Sequence, residues 1–595
     1  MSGLREVEKE ILKELSVEEE FKHIKWLHDN IGQRLAGTPE ERKAAEYFEK
    51  VLKDYGTTVH VYEFDAFISF PKDAELKVLE PIQKSIECSC YAQIGSTPPE
   101  GIEGELIYVG SGGIKDYENL DVKGKITLTE LSYSPPRPEK VRLAEKFGAI
   151  GQIQINWGGN ALPLGTTKYV WGNPTPETIK MMPSIPAVGI RKADGEYLKD
   201  LCKSQKVRVW LKATAWRGWK KIRNVVAEIK GVEEPEKFVL VNGHYDAWGA
   251  ATTCNATGNA LMLELARVFA KHRKNLKRSV RFAFWSGHET GIMAGSTWYL
   301  DNFWEDINKN CIAYMNCDSP GMKNTVHYAP TQTAEAERFH LETIRDVLGE
   351  EEAEEAERLE SVMGKRPRKV GDQSFFGVGV PSIAGITTPP PGKPPLGEWY
   401  HSVEDTPDKV DLTALDKATK MYAALILRLC NDPIFPFEFV SVADEFLVTL
   451  SDLQEKGKGT VDLKALIEKA KTFKVEANRL EEESRRKRSE YNKRKGDKKF
   501  EESVKLINNC LMKLSRTLIP VSYTTVCKYD QDTYGRSGLD KPLPSLQPIA
   551  DLANLDPESS EFKALKTKLI RNKNRVSDAL DDSIEVIRDT LARIC

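Results

Sequence analysis

Long apolar runs are missing from this chain. Nowhere in its 595 residues do roughly 18 apolar side chains follow one another, so no segment is expected to cross a bilayer as a helix. The opening stretch, MSGLREVEKEILKEL, is charged and helix-prone and lacks the apolar centre of a secretory signal. An excess of one charge is missing too. The 86 basic residues stand against 89 acidic ones, a formal charge of −3 that excludes a dedicated nucleic-acid binder. Cysteine is sparse and unpatterned: ten are scattered along the chain, with only Cys88 and Cys90 close together, which points to a reducing, cytoplasmic setting. What is present is ordinary for a soluble globular protein. Hydrophobic residues make up 40% and charged ones 29%, which excludes disorder and a collagen-like fibre as descriptions of the whole. The length allows several domains, about three to five at roughly 100–200 residues each.

Four regions differ in pattern. Residues 1–80 begin with helical periodicity through Val7, Ile11, Leu12 and Leu15, continuing through Phe21, Ile24, Trp26 and Leu27. A helix follows from Ala44 to Leu52, then strand-like alternation from Thr58 to Phe64. Residues 81–215 carry short strands and many glycines, at 104–110, 122–128 and 149–155, with a helix expected from Glu139 to Phe147. Residues 216–434 alternate: strands at 238–241, 280–285 and 312–315, helices at 260–270 and 295–303. Such alternation implies a sheet flanked by helices, with functional groups gathering beyond the carboxyl ends of its strands. Residues 435–595 are mostly helical, with heptad-like spacing at 447–453 and 504–518. The charged run 485–499 reads as a solvated helix face and turn, and 350–360 as an exposed helix.

Polar clusters stand where those strands end. His244 and Asp246 follow the first, His288 and Glu289 the second, and Asp318 the third; Tyr400 and His401 lie beyond a proline-rich loop, 389–395. Two imidazoles and two carboxylates, His244, Glu289, Asp318 and His401, form a natural set for zinc or another divalent ion. Asp246, two residues after His244, suits a partner that fixes the imidazole tautomer.

The order of these motifs resembles the co-catalytic zinc aminopeptidase family, and particularly its glutamate carboxypeptidase and transferrin-receptor branch. Residues 104–155 look like the protease-associated insertion of that branch, Asp372 to Phe376 with Gly379-Val-Pro381 resembles its late segment, and the helical end is similar to its dimerisation domain. The resemblance implies an α/β fold with an aminopeptidase-like mixed sheet flanked by helices, a β-rich insertion and a C-terminal helical domain. It also implies one or two zinc ions, a peptide or small amide-type substrate, and a homodimer formed through 435–595. Membrane and nucleic acid are not among the expected partners. Carried over by position, His244, Glu289, Asp318 and His401 match ligands, and Asp246 matches an orienting aspartate. Trp171, Gly172, Asn173, Lys528 and Tyr529 match its substrate-pocket residues only loosely.

Two positions depart from the family pattern. Cys254 stands where an aspartate bridges two ions, and His288 stands at the general-base position. A thiolate is softer than a carboxylate and favours zinc, so Cys254 is a candidate ligand; a neutral buried residue and a nucleophile are the alternatives. His288 is a candidate general base, since an imidazole titrates near neutrality, and also a candidate ligand or neither. Tyr400 is placed to donate a hydrogen bond to a developing oxyanion. The expected activity is a metal-dependent hydrolase resembling an exopeptidase or amidase, using metal-activated water. The alternatives are a redirected reaction at a mononuclear site and a non-catalytic binding or assembly protein.

Overall fold

The computed structural model describes residues 5–132, 135–363, 366–367, 371–389, 396–533 and 540–594. Its strands run in chain order as follows. A long strand β1 (Thr58–Glu80) leads to β2 (Lys84–Ile86), β3 (Cys88–Cys90), β4 (Ile102–Tyr108), β5 (Ile126–Glu130), β6 (Gly151–Ile155) and β7 (Ala187–Ile190). A second long strand, β8 (Arg208–Ile229), is followed by β9 (Glu234–His244), β10 (Arg278–Trp285) and β11 (Cys311–Asn316). Two more, β12 (His327–Gln332) and β13 (Ile383–Thr388), form a separate antiparallel pair.

One mixed sheet runs β11-β9-β10-β8-β4-β5-β6-β7-β3, with β1 laid along β8. Both faces of its β11-β9-β10-β8 end are covered, as the alternation predicts. Val239, Val241, Phe282 and Phe284 turn to one core, where helices Val17–Asn30, Pro39–Asp54, Thr257–Lys271 and Leu412–Asn431 pack. Phe238, Leu240, Ala283 and Trp285 turn to the other, against Tyr299, Leu300 and Phe375. Strand residues on both faces are apolar because neither face meets water.

The strands expected at 238–241, 280–285 and 312–315 are present and extended by a few residues, whereas those expected at 104–110 and 149–155 run over Ile102–Tyr108 and Gly151–Ile155. At 122–128, Val122 to Lys125 form a turn around Gly124, φ +73°, and the strand starts only at Ile126. The alternation at Thr58 likewise marks only the beginning of β1, which pairs with β8 from Thr58 opposite Glu228 to Glu80 opposite Arg208. A register shift between Pro71 and Ala74 interrupts its pattern.

The helical end is a bundle of Val440–Lys456, Lys464–Glu490, Lys498–Tyr523 and Ser560–Ile594. Its apolar stripes find partners inside the chain: Phe446, Phe473, Leu511 and Leu580 belong to the same core as the helices packed on the β9–β10 face. The 485–490 part of the charged run is helical and paired, Arg485 with Glu481 and Arg486 with Glu483 and Glu490. Residues 390–395 of the proline-rich loop lie outside the described residues.

Candidate metal centre

Register explains why the candidate residues meet. β9 and β10 are parallel with His244 opposite Trp285, and β11 is parallel to β9 with Asn316 opposite Asn242. Three strands therefore end at one level, and the residues just after them share one rim. The third segment is drawn in by close packing: a Cβ at Gly243 or Gly258 would lie 2.6 Å or 2.4 Å from the Cys317 carbonyl oxygen. Asn255 donates to that oxygen (2.8 Å) and to the His244 carbonyl (3.1 Å), and accepts from the Ser319 N–H (3.0 Å). Asp318 is thereby set beside His244, its Oδ1 3.6 Å from Nε2.

Cys254 lies at the centre. Its Sγ is 3.8 Å from His244 Nε2, 3.7 Å from Glu289 Oε1 and 3.6 Å from His401 Nε2, and the last two atoms are 3.0 Å apart. Two donor triads close enough for an ion result, His244–Cys254–Glu289 and His244–His288–Asp318. His288 lies with its ring stacked on that of His244, centroids 3.8 Å apart, and its Nδ1 3.0 Å from Asp372 Oδ2. All the sequence-derived candidates for metal and proton chemistry are thus brought to one place. The His244 side chain is fully buried, while Asp318 is 25% exposed, so the site opens on the Asp318 side.

The role of Asp246 is divided between its main chain and its side chain. The main-chain carbonyl, 2.8 Å from His244 Nδ1, holds the imidazole, while the carboxylate is 3.9 Å from that nitrogen. The carboxylate instead accepts the backbone N–H groups of His288 (3.1 Å) and Glu289 (3.0 Å), fixing the turn that presents both. Tyr400 stacks on His401 with ring centroids 4.0 Å apart, and Trp157 of the insertion stacks on Tyr400 at 5.8 Å. The insertion also supports His401 directly. Leu164 N–H donates to the His401 carbonyl (2.7 Å), and His401 holds φ at +53°, a region costly for an L residue.

Electrostatics follow from burial and close pairing. Burial, reinforced by Glu289, pushes the Cys254 thiol up to about 12. Burial would also raise Glu289, but His401 outweighs it and holds the carboxyl well below its ordinary range. Burial opposes a charge on His244, yet Asp318 and Cys254 together raise its pKa well above the ordinary value. Asp246 is pushed up to about 6 by burial.

Several contributors carry no local sequence signal. Asp405 accepts from the backbone N–H groups of Thr253 and Cys254 and from the Thr253 hydroxyl, clamping the thiol-bearing loop. Arg34, fully buried, donates to the carbonyls of Gly32 and Tyr245 beneath that loop. Trp248 donates to Glu289 Oε2 (2.8 Å). The loosely matched pocket residues divide. Trp171 reaches the Asp372 network through Ser374 and Ser296, whereas Asn173 bonds Asp65 and Phe67 on β1 and Tyr529 packs on Trp304.

The chain is similar to known proteins over its central regions. Residues 224–426 match peptidase family M28 and residues 102–198 match the PA domain. The chain is 24% identical over 509 residues to a probable glutamate carboxypeptidase, VP8, of Zea mays, covering 72% of this chain and 69% of that one. It is 26% identical over 418 residues to aminopeptidase YwaD of Bacillus subtilis (strain 168), covering 68% and 83%. Among solved structures, an aminopeptidase from Aneurinibacillus sp. strain AM-1 aligns with a TM-score of 0.51 at 26% identity, over 71% of this chain and 95% of that one. A zinc aminopeptidase from Bacillus subtilis shares the fold with a TM-score of 0.52 at 24% identity, over 69% and 95%. The chain therefore carries a peptidase family M28 domain at residues 224–426, preceded by a PA domain at residues 102–198.

Proposed function

We propose that this chain is a metal-dependent hydrolase acting on peptide or small amide-type substrates. The observation that carries the reading is the buried Cys254 sulfur with two imidazoles and a carboxylate 3.6–3.8 Å away, at the rim where three parallel strands end. Thiolate, imidazole and carboxylate donors suit zinc. His244, Cys254, Glu289 and His401 would hold it, and the ion would supply polarisation of a scissile carbonyl and acidification of water.

The chain's own residues do the rest. Asp372 accepts from His288 Nδ1, which leaves the lone pair on Nε2, the form in which an imidazole takes a proton at neutral pH. Asp246 keeps His288 and Glu289 in their turn, and Asp318 borders the open side. Tyr400, beside His401, is assigned the hydrogen bond to the developing oxyanion.

Arg137 supports a substrate carrying a carboxylate. It starts the insertion helix Arg137–Lys146, it is close enough to His401 to disfavour a charge there, and its Nε is buried without a hydrogen-bond partner among the described residues. The family names of the relatives favour cleavage near a chain end. Pairing of two copies through 435–595 and a cytoplasmic location belong to the same proposal. The first rests on resemblance to the dimerising branch, the second on scattered cysteines. Light scattering giving twice 67.0 kDa would support the pairing, and a single-chain mass would end it.

The decisive experiment compares metal-free and zinc-loaded protein on free, N-acylated and C-amidated peptides. Zinc-dependent release of a terminal residue is expected. Zinc-loaded protein that cleaves none of them would move the assignment to a non-catalytic binding protein.

A further inference from the structure

We propose that the centre holds a single ion with Cys254 as a terminal thiolate ligand, in place of a carboxylate-bridged pair. This rests on the metal-dependent reading above and names the stoichiometry and ligand chemistry of the same site.

The geometry carries it in three steps. A tetrahedral zinc ion bonds sulfur at about 2.3 Å and nitrogen or oxygen at about 2.0 Å, which places a sulfur and any neighbouring donor roughly 3.5 Å apart. The distances from Cys254 Sγ to His244 Nε2, Glu289 Oε1 and His401 Nε2 are 3.8, 3.7 and 3.6 Å, the three sulfur edges such a tetrahedron requires, and Glu289 Oε1 lies 3.0 Å from His401 Nε2. Donors that would serve two separate ions around a bridging carboxylate thus all lie within one coordination shell's reach of a single sulfur.

The second donor group is then left short. It consists of His244, His288 and Asp318, and so draws on the same imidazole as the first. His244 has only one nitrogen to give, because its Nδ1 is 2.8 Å from the Asp246 carbonyl oxygen. With that nitrogen spent at Cys254, Asp318 and the Nε2 of His288 remain, the Nδ1 of His288 being bonded to Asp372. Two donors without the shared imidazole do not complete a zinc site.

The chemistry of the bridging position points the same way. A carboxylate offers one oxygen to each of two ions, whereas a thiolate offers one atom. On binding, the ion takes the place of the thiol proton, which leaves to solvent; coordination deprotonates a thiol outright. The ligand set is also softer than one built around an aspartate, so zinc and cadmium should be preferred over manganese and magnesium.

Elemental analysis and X-ray absorption on zinc-loaded wild-type protein test this without any variant. Expected are one zinc per chain, one sulfur neighbour at about 2.3 Å, and no zinc–zinc scattering at about 3.5–4 Å. In the cobalt-loaded protein a thiolate-to-metal charge-transfer band should appear at one equivalent and be lost in Cys254→Ser. Two zincs with a metal–metal vector, or one zinc with no sulfur neighbour, would overturn this inference and leave the hydrolase reading standing. No bound zinc would overturn both.

Discussion

Replacing Asp372 by Asn tests the proton chemistry most directly. Asp372 is fully buried and accepts from His288 Nδ1 (3.0 Å) and from the Ser296 hydroxyl (2.8 Å). In Asp372→Asn the amide oxygen takes the place facing Ser296, so the amide NH2 faces His288. Its donor then meets Nδ1 and drives the imidazole proton to Nε2, the atom that must accept one. Losing a charge-assisted hydrogen bond costs about 1.5–3 kcal/mol, roughly a 10- to 150-fold drop in kcat at about 1.4 kcal/mol per decade. Removal of the whole general-base contribution sets the upper limit, about 10²–10⁴-fold. His288→Ala should reach that limit and keep the zinc. The assay is steady-state kinetics at saturating zinc, with zinc content and thermal midpoint measured on the same samples. If Asp372→Asn keeps kcat within about twofold of wild type at full zinc occupancy, His288 is not the base.

Further outcomes are expected elsewhere. Arg137→Ala should raise KM at least about tenfold for peptides with a free terminal carboxylate and leave C-amidated ones unchanged, since a buried charged hydrogen bond is lost only for the former; equal effects on both series would remove Arg137 from substrate binding. Cys254→Asp places two oxygens at the centre and should raise zinc capacity from one to two per chain, read by elemental analysis, with an unchanged count showing that the single sulfur atom is not what limits the centre to one ion. Glu335 is buried, and its folded-state pKa is pushed up to about 7 from an ordinary 4.5. The folded state therefore holds the proton longer than the unfolded one, and stability falls as pH rises from about 4.5 to 7, by up to about 3 kcal/mol. Glu335→Gln should stabilise the protein to urea by about that amount above neutrality and leave it unchanged below pH about 4.5; a pH-independent effect would show that another group sets the slope.

The catalytic rim was legible because its residues follow parallel strands directly. His244, Glu289 and Asp318 each come three or four residues after a buried apolar run, so the alternation of such strands with helices placed them together. His401 was legible only through motif order, because it follows no strand of the sheet. Asp405 escaped reading, and Asp372 was legible only as part of a late motif, for another reason. Their work is done on Cys254 and His288, 151 and 84 residues away, and no local spacing encodes such contacts. Nor does anything local announce that Trp157 and Leu164 of the insertion reach Tyr400 and His401. The length of β1 was hidden by chemistry: Pro71, Lys72 and Asp73 break the alternation at the bulge, yet pairing with β8 resumes at Ala74.

That ribbon has a mechanical consequence. Val209 and Leu211 of β8 sit in the core of the insertion, while Val225 and Ala227 of the same strand sit in the catalytic core. Likewise β1 sends Leu76 and Val78 into the first and packs Val59 and Val61 against the second. Two cores threaded by the same pair of strands cannot melt one at a time without breaking a shared ladder, so they should unfold as one cooperative unit. A fragment cut at the PA boundaries, 102–198, would lack Leu76, Val78, Val209 and Leu211, and so would leave its own interior open to water. The insertion that carries Trp157 to Tyr400 is therefore tied into the same ladder as the catalytic core, and loosening one should loosen the other.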